Sequence, residues 1–116
     1  MKVRIEIWNR NGLGVYVGRP SVFGNPFRLQ DGCSREESLR LYREYLQEKL
    51  AEGGKLAEAV DRLVETARRR GRLSLVCWCA PKPCHAEAIA EEVARRLEGE
   101  GRRVEIWVWG RHGVGH

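Results

Sequence analysis

The sequence predicts an α/β protein: a single mixed, partly parallel four-stranded sheet with about three helices packed on it. Three observations carry that reading. Residues 2–9 and 104–108 alternate apolar and polar with period two, as half-buried strands do. Three stretches between them repeat apolar residues at helical spacing and are bounded by caps and glycines. The apolar run Leu73–Cys79 is followed by a helix and another strand, a unit with the length of a right-handed parallel crossover. The 116 residues suit one domain, expected over 1–110, with 111–116 as a flexible tail carrying His112 and His116.

In the first strand Val3, Ile5 and Ile7 share one face, and Lys2, Arg4 and Glu6 the other. Asn11-Gly12-Leu13-Gly14 supplies turn residues before a short second strand, Val15-Tyr16-Val17. Residues 18–32 read as irregular, punctuated by Gly18, Pro20, Gly24 and Pro26. Ser34-Arg35-Glu36-Glu37 is a capping box, in which the hydroxyl caps an N–H and the glutamate reaches back. Leu39, Tyr42, Leu46 and Leu50 form that helix's stripe, and Gly53-Gly54 ends it. Leu56, Val60, Leu63 and Ala67 mark a second helix from about Lys55 to Arg70, ended by Gly71.

The run LSLVCWC, Leu73–Cys79, suits a central strand covered on both faces, and Pro81 and Pro83 break it. A third helix starts near Cys84, with Ala86, Ile89, Val93 and Leu97 inward, and Val104, Ile106 and Val108 form the last strand. Trp78 is expected to pack under a helix, and Trp107 and Trp109 to cover the sheet's other face.

Lys plus Arg is 21 and Asp plus Glu 16, a net charge of +5. Arginine dominates the cations, and asparagine, glutamine and methionine are few, a thermophile-like composition in which Arg–Glu networks are expected. Much of the excess sits at helix ends, in Arg68-Arg69-Arg70, Arg95-Arg96 and Arg102-Arg103, where cations complement the helix dipole. No apolar run approaches the ~20 residues of a membrane helix. The first residues lack the apolar core of a secretory signal. Three of the four cysteines crowd into Cys77, Cys79 and Cys84, which points to a site in a reducing cytoplasm rather than a disulfide scaffold.

Two segments carry the candidate chemistry. Around Cys77-Trp78-Cys79-Ala80-Pro81-Lys82-Pro83-Cys84-His85 the apolar strand runs into a helix N-terminus, which favours an anion and lowers a thiol's pKa. Cys84 is the candidate nucleophile, His85 the proton carrier and Cys79 a third catalytic candidate. Cys77, Cys79, Cys84 and His85 are also zinc ligand types, although Cys77 and Cys79 on a strand stand parallel rather than convergent. No other cofactor is implied, and a Cys79–Cys84 disulfide is a further alternative. In the second segment, Gly18 and Gly24 let backbone approach a ligand, Arg19 offers a fork, Ser21 a hydroxyl and Asn25 an amide. Phe23 and Phe27 there either stack on a base or plug the core edge.

Tyr16-Val17-Gly18-Arg19-Pro20-Ser21, Phe23-Gly24-Asn25-Pro26-Phe27 and the Cys77-to-His85 segment together resemble domain-of-unknown-function family 4326, a group of uncharacterised bacterial and phage proteins. The resemblance runs from the second strand through the third helix and includes the tyrosine-bearing helix at Tyr42 to Leu46. It selects Gly18, Arg19, Gly24, Asn25, Pro26, Cys77, Cys79, Pro81, Cys84 and His85, and departs at Ala86, where such proteins often have glycine. It implies a shared pocket and no particular reaction.

The leading expectation is a Cys/His anion-binding pocket between the Gly18–Phe27 loop and the Cys79–His85 turn. Its ligand would be a nucleotide or other phosphorylated molecule, handled by a small transferase or hydrolase using Cys84 and His85. One alternative is a non-catalytic nucleic-acid-binding module, in which arginines meet phosphates and tryptophans stack bases. Another is a zinc-stabilised protein that binds a partner. Exposed tryptophans equally suit a homodimer patch. A membrane is not among the expected partners.

Overall fold

The computed structural model describes residues 2–9, 14–27, 34–78, 82 and 84–110. The elements run β1 (Lys2–Trp8), β2 (Val15–Tyr16), α1 (Arg35–Glu52), α2 (Lys55–Arg70), β3 (Arg72–Val76), α3 (His85–Gly99) and β4 (Arg103–Val108). The helix ends follow the local chemistry of the chain. Ser34 Oγ accepts the Glu37 N–H at 3.1 Å and starts α1. Gly71, in the left-handed region at φ 72°, closes α2 with its N–H on Ala67 O. Arginines near the helix ends form ion pairs: Arg68 with Glu65 and Glu100, Arg96 with Asp61 and Glu92, Arg102 with Glu100. These tie α2 to α3 and to the turn after it, the Arg–Glu network that the composition suggests.

The four strands form one sheet in the order β2-β3-β1-β4. The α/β class holds, with four strands and three helices among the described residues, but the sheet they form is parallel throughout rather than mixed. The reason lies in β2. It does not fold back on β1, both of whose edges are taken by β3 and β4, but adds to the outer edge of β3 in the same direction. Gly14 permits this approach: a Cβ there would stand 2.5 Å from Ser74 O.

Val3, Ile5 and Ile7 meet Leu73 and Leu75 on one side and Val104, Ile106 and Val108 on the other, all on a single face of the sheet. There α2 packs on β1 and β3, α3 on β1 and β4, and α1 against both helices. One hydrophobic core results, drawing on residues from Val3 to Val108.

The opposite face carries Lys2, Arg4, Glu6 and Trp8 of β1, Arg72, Ser74 and Val76 of β3, and Arg103, Glu105 and Trp107 of β4. Among the described residues no helix lies on it. Two expectations therefore change. The run beginning at Leu73 is internal but helix-covered on one face only, its apolar character outside coming from Val76 and Trp78. Trp78 does not pack under a helix: it is 58% exposed, with Nε1 donating to Tyr16 Oη at 2.7 Å. Trp107 does lie on the outer face, its ring centroid 4.8 Å from that of Trp8.

Candidate functional site

Because every strand points the same way, the connections after β1, β2, β3 and β4 all leave from the carboxyl edge of the sheet. Ligands of parallel α/β proteins settle at that edge. Two of these connections, 17–34 and 77–84, carry the candidate residues. Of these residues, Cys79, with Ala80, Pro81 and Pro83, lies outside the described ones, as does Cys33.

Cys84 is the N-cap of α3, in a capping box whose Glu87 Oε2 accepts the Cys84 N–H at 3.2 Å. That box engages amide groups an anion would otherwise use. Cys84 is 2% and His85 8% exposed. The imidazole is gripped on both nitrogens. Nε2 lies 2.6 Å from Val17 O, and Nδ1 lies 3.6 Å from Cys84 Sγ. A carbonyl oxygen only accepts, so Nε2 carries the proton and Nδ1 turns its lone pair to the thiol. Burial pushes the His85 pKa down and the charge of Arg19 adds to this, outweighing the Val17 hydrogen bond, which favours the charged form. The resting imidazole is neutral.

Tyr42 completes this corner; the sequence marks it as helix stripe and as part of the tyrosine-bearing helix of the family resemblance, not as a site residue. Its ring meets that of His85 edge-on at 5.1 Å, and its hydroxyl donates to Phe23 O at 2.8 Å. Burial drives its pKa far above the usual tyrosine value. No local signal separates Tyr42 from a core tyrosine.

The Gly18–Phe27 loop is built mainly on its own contacts. A Cβ on Gly18 would stand 2.5 Å from Tyr16 Oη, and one on Gly24 2.9 Å from Arg19 Cγ, so both glycines make room for neighbouring side chains. Ser21 Oγ receives the Phe23 N–H. Asn25 Nδ2 donates to Ser38 Oγ at 2.9 Å while its Oδ1 accepts the Phe27 N–H, which ties the loop to α1. Phe23 is core, and Phe27 packs edge-on against Tyr45 at 6.0 Å. Arg19 is different. It follows the loop's inward turn at Val17, precedes a cis peptide bond to Pro20, and stays exposed with one N–H on Asn25 O at 3.0 Å.

Thus Arg19, Cys84 and His85 are brought to one corner through Val17, while Ser21 and Asn25 serve the loop. Cys77 and Cys84 carry no disulfide, so the Cys79–Cys84 bridge is not made. Among the described residues no three potential ligands gather around a metal position. Residues 79–81 and 83, part of the second segment of the expected pocket, lie outside the described residues. Two grooves open elsewhere, one of about 600 Å³ beside Lys2, Arg102 and Arg103, the other of about 530 Å³ beside Gly14, Arg70 and Arg72.

Fold and site define a parallel α/β protein with a thiol and a neutral imidazole hydrogen-bonded at the carboxyl edge of its sheet. The family model for Domain of unknown function (DUF4326) matches residues 2–95, and the chain belongs to that family. Comparison with curated proteins and with solved structures gave no match.

Proposed function

We propose that the protein is a thiol-dependent transferase or hydrolase acting on a phosphorylated ligand, with nucleotides the leading class. The observation that supports this reading is the chain of contacts from Val17 O through His85 to Cys84 Sγ. A base oriented by a third group beside a thiol is the arrangement that activates a nucleophile. As sulfur attacks carbon or phosphorus of the ligand, its proton passes to Nδ1, which the neutral state of His85 leaves able to receive it. The bond from that atom to its leaving group breaks, the Nδ1 proton goes to the departing group, and water or an acceptor hydroxyl then takes the transferred group from sulfur. Arg19 supplies the positive charge for the ligand's anion. The reading carries with it a reducing compartment, since oxidation of Cys84 would remove the nucleophile.

Alkylation by iodoacetamide tests it. Cys84 is expected to react, to slow at least about tenfold in His85→Asn, and to be protected by AMP or inorganic phosphate. Cys84→Ser retains ligand binding and loses turnover. Equal alkylation rates with and without His85, together with no protection, would overturn the reading.

A second reading rests on the same 3.6 Å separation. Zinc ligands at about 2.3 Å (sulfur) and about 2.1 Å (nitrogen) on a tetrahedron stand about 3.6 Å apart. The Nε2–H on a carbonyl is the outer partner a metal-bound histidine usually has. About one equivalent of zinc retained through purification would favour it, because a metal-bound Nδ1 cannot take a proton.

A further inference from the structure

We propose that the uncovered face of the sheet is a platform for single-stranded nucleic acid. Parallel sheets nearly always have both faces covered, and among the described residues no helix covers this one, so it asks for an occupant. The face is divided along the strands. Toward the carboxyl edge it is aromatic: Trp8 and Trp107 pair at 4.8 Å, and Trp78 bonds Tyr16 at 2.7 Å. Trp109, 40% exposed, continues the alternation just past β4, with its N–H on Ile7 O. At roughly 4.8 Å between neighbouring strands, this row crosses four strands and spans about 15 Å, room for two or three stacked bases.

Toward the other edge the face is charged. Glu6 forms ion pairs with Arg4 and Arg72, and Glu105 with Lys2 and Arg4. With Arg103 the cations outnumber the acids on this face, in a chain of net charge +5. The Arg4 guanidinium also stands 5.5 Å from the Trp107 ring centre.

The charge pattern selects the occupant. An apolar helix or a second copy laid over this face would have to take the exposed Lys2, Arg4, Arg72 and Glu105 side chains out of water, a cost their ion pairs do not reliably offset. A single strand suits both halves: its bases stack on indoles and its phosphates face the surplus cations. A duplex hides its base faces and can use only the charges. The inference is independent of the thiol chemistry.

The experiment titrates the full chain with a short oligothymidylate and with a duplex of equal length, reading tryptophan emission and anisotropy of a labelled strand. The single strand is expected to quench emission, to shield the wild-type tryptophans from acrylamide, and to bind more tightly than duplex. The double variant Trp78→Ala, Trp109→Ala is expected to lose at least about tenfold in affinity. Inorganic phosphate at constant ionic strength, which protects Cys84 in the thiol reading, is expected not to displace the strand, which separates failure here from failure of that reading. Binding that ignores strandedness and leaves acrylamide quenching unchanged is charge attraction alone and overturns the proposal. So does absence of binding, or a dimer in sedimentation that the double variant dissociates. Should the variant not fold, the acrylamide readout on the wild-type chain decides.

Discussion

His85 is held neutral where a solvated histidine would begin to protonate. Its pKa is lowered in the folded state from an ordinary value of 6.5, first by burial and then by Arg19. The unfolded chain therefore binds the proton more readily. Stability that is whole above pH 6.5 is lost as the pH falls from there through the lowered folded value. Urea midpoints measured across that range are expected to fall for wild type and to flatten in His85→Asn. Tyr42→Phe leaves the Phe23 carbonyl without its hydroxyl donor inside the core. It is expected to cost about 1–3 kcal/mol in denaturant unfolding. Gly14→Ala meets backbone rather than a flexible side chain, with Ser74 O at 2.5 Å. About 1–3 kcal/mol of overpacking is expected there, seen as a lowered Tm.

At the scale of elements, stability should grade across the sheet. β2 holds two residues and among the described residues pairs on one side only, whereas β1 is paired on both edges along most of its length. Amide exchange is expected to be fastest in Val15–Tyr16 and slowest in Ile5 and Ile7. The same contrast explains what could be read from the chain. Ser34, Gly53, Gly54 and Gly71 announce helix ends because capping is a contact of near neighbours. The landing place of β2 is not a local property: it depends on β1 having no free edge. Trp78 reads as a buried strand residue because LSLVCWC is apolar on both of its faces, and only the position of the helices shows one face bare. Cys84 and His85 stand out as neighbours. The orientation of the imidazole, which makes the pair chemically meaningful, comes from Val17, 68 residues away.

At the scale of the whole molecule, acid acts in two stages. Glu6 is buried on the outer face, and burial alone would raise its pKa. Hydrogen bonds from Arg72 and Trp8, with the charges of Arg72 and Arg4, outweigh that and lower it from an ordinary 4.5. Glu92, between Gln47, Arg95 and Arg96, is lowered in the same way. Their contributions are complete above pH 4.5 and lost below it, after the His85 contribution has begun to fade. Glu6→Gln is expected to lower stability at pH 7 and to diminish the loss below 4.5, read from denaturation midpoints at each pH. The arrangement of strands also bears on how the chain comes off the ribosome. β1 is an inner strand that is made before both of its neighbours, and Ile5 has to wait for Leu73 on one flank and for Ile106 on the other. Until β3 has been translated a segment rich in isoleucine and valine has no partner for either edge, and until β4 has been translated one edge stays open, so chaperones that hold extended apolar peptides have their longest opportunity at β1.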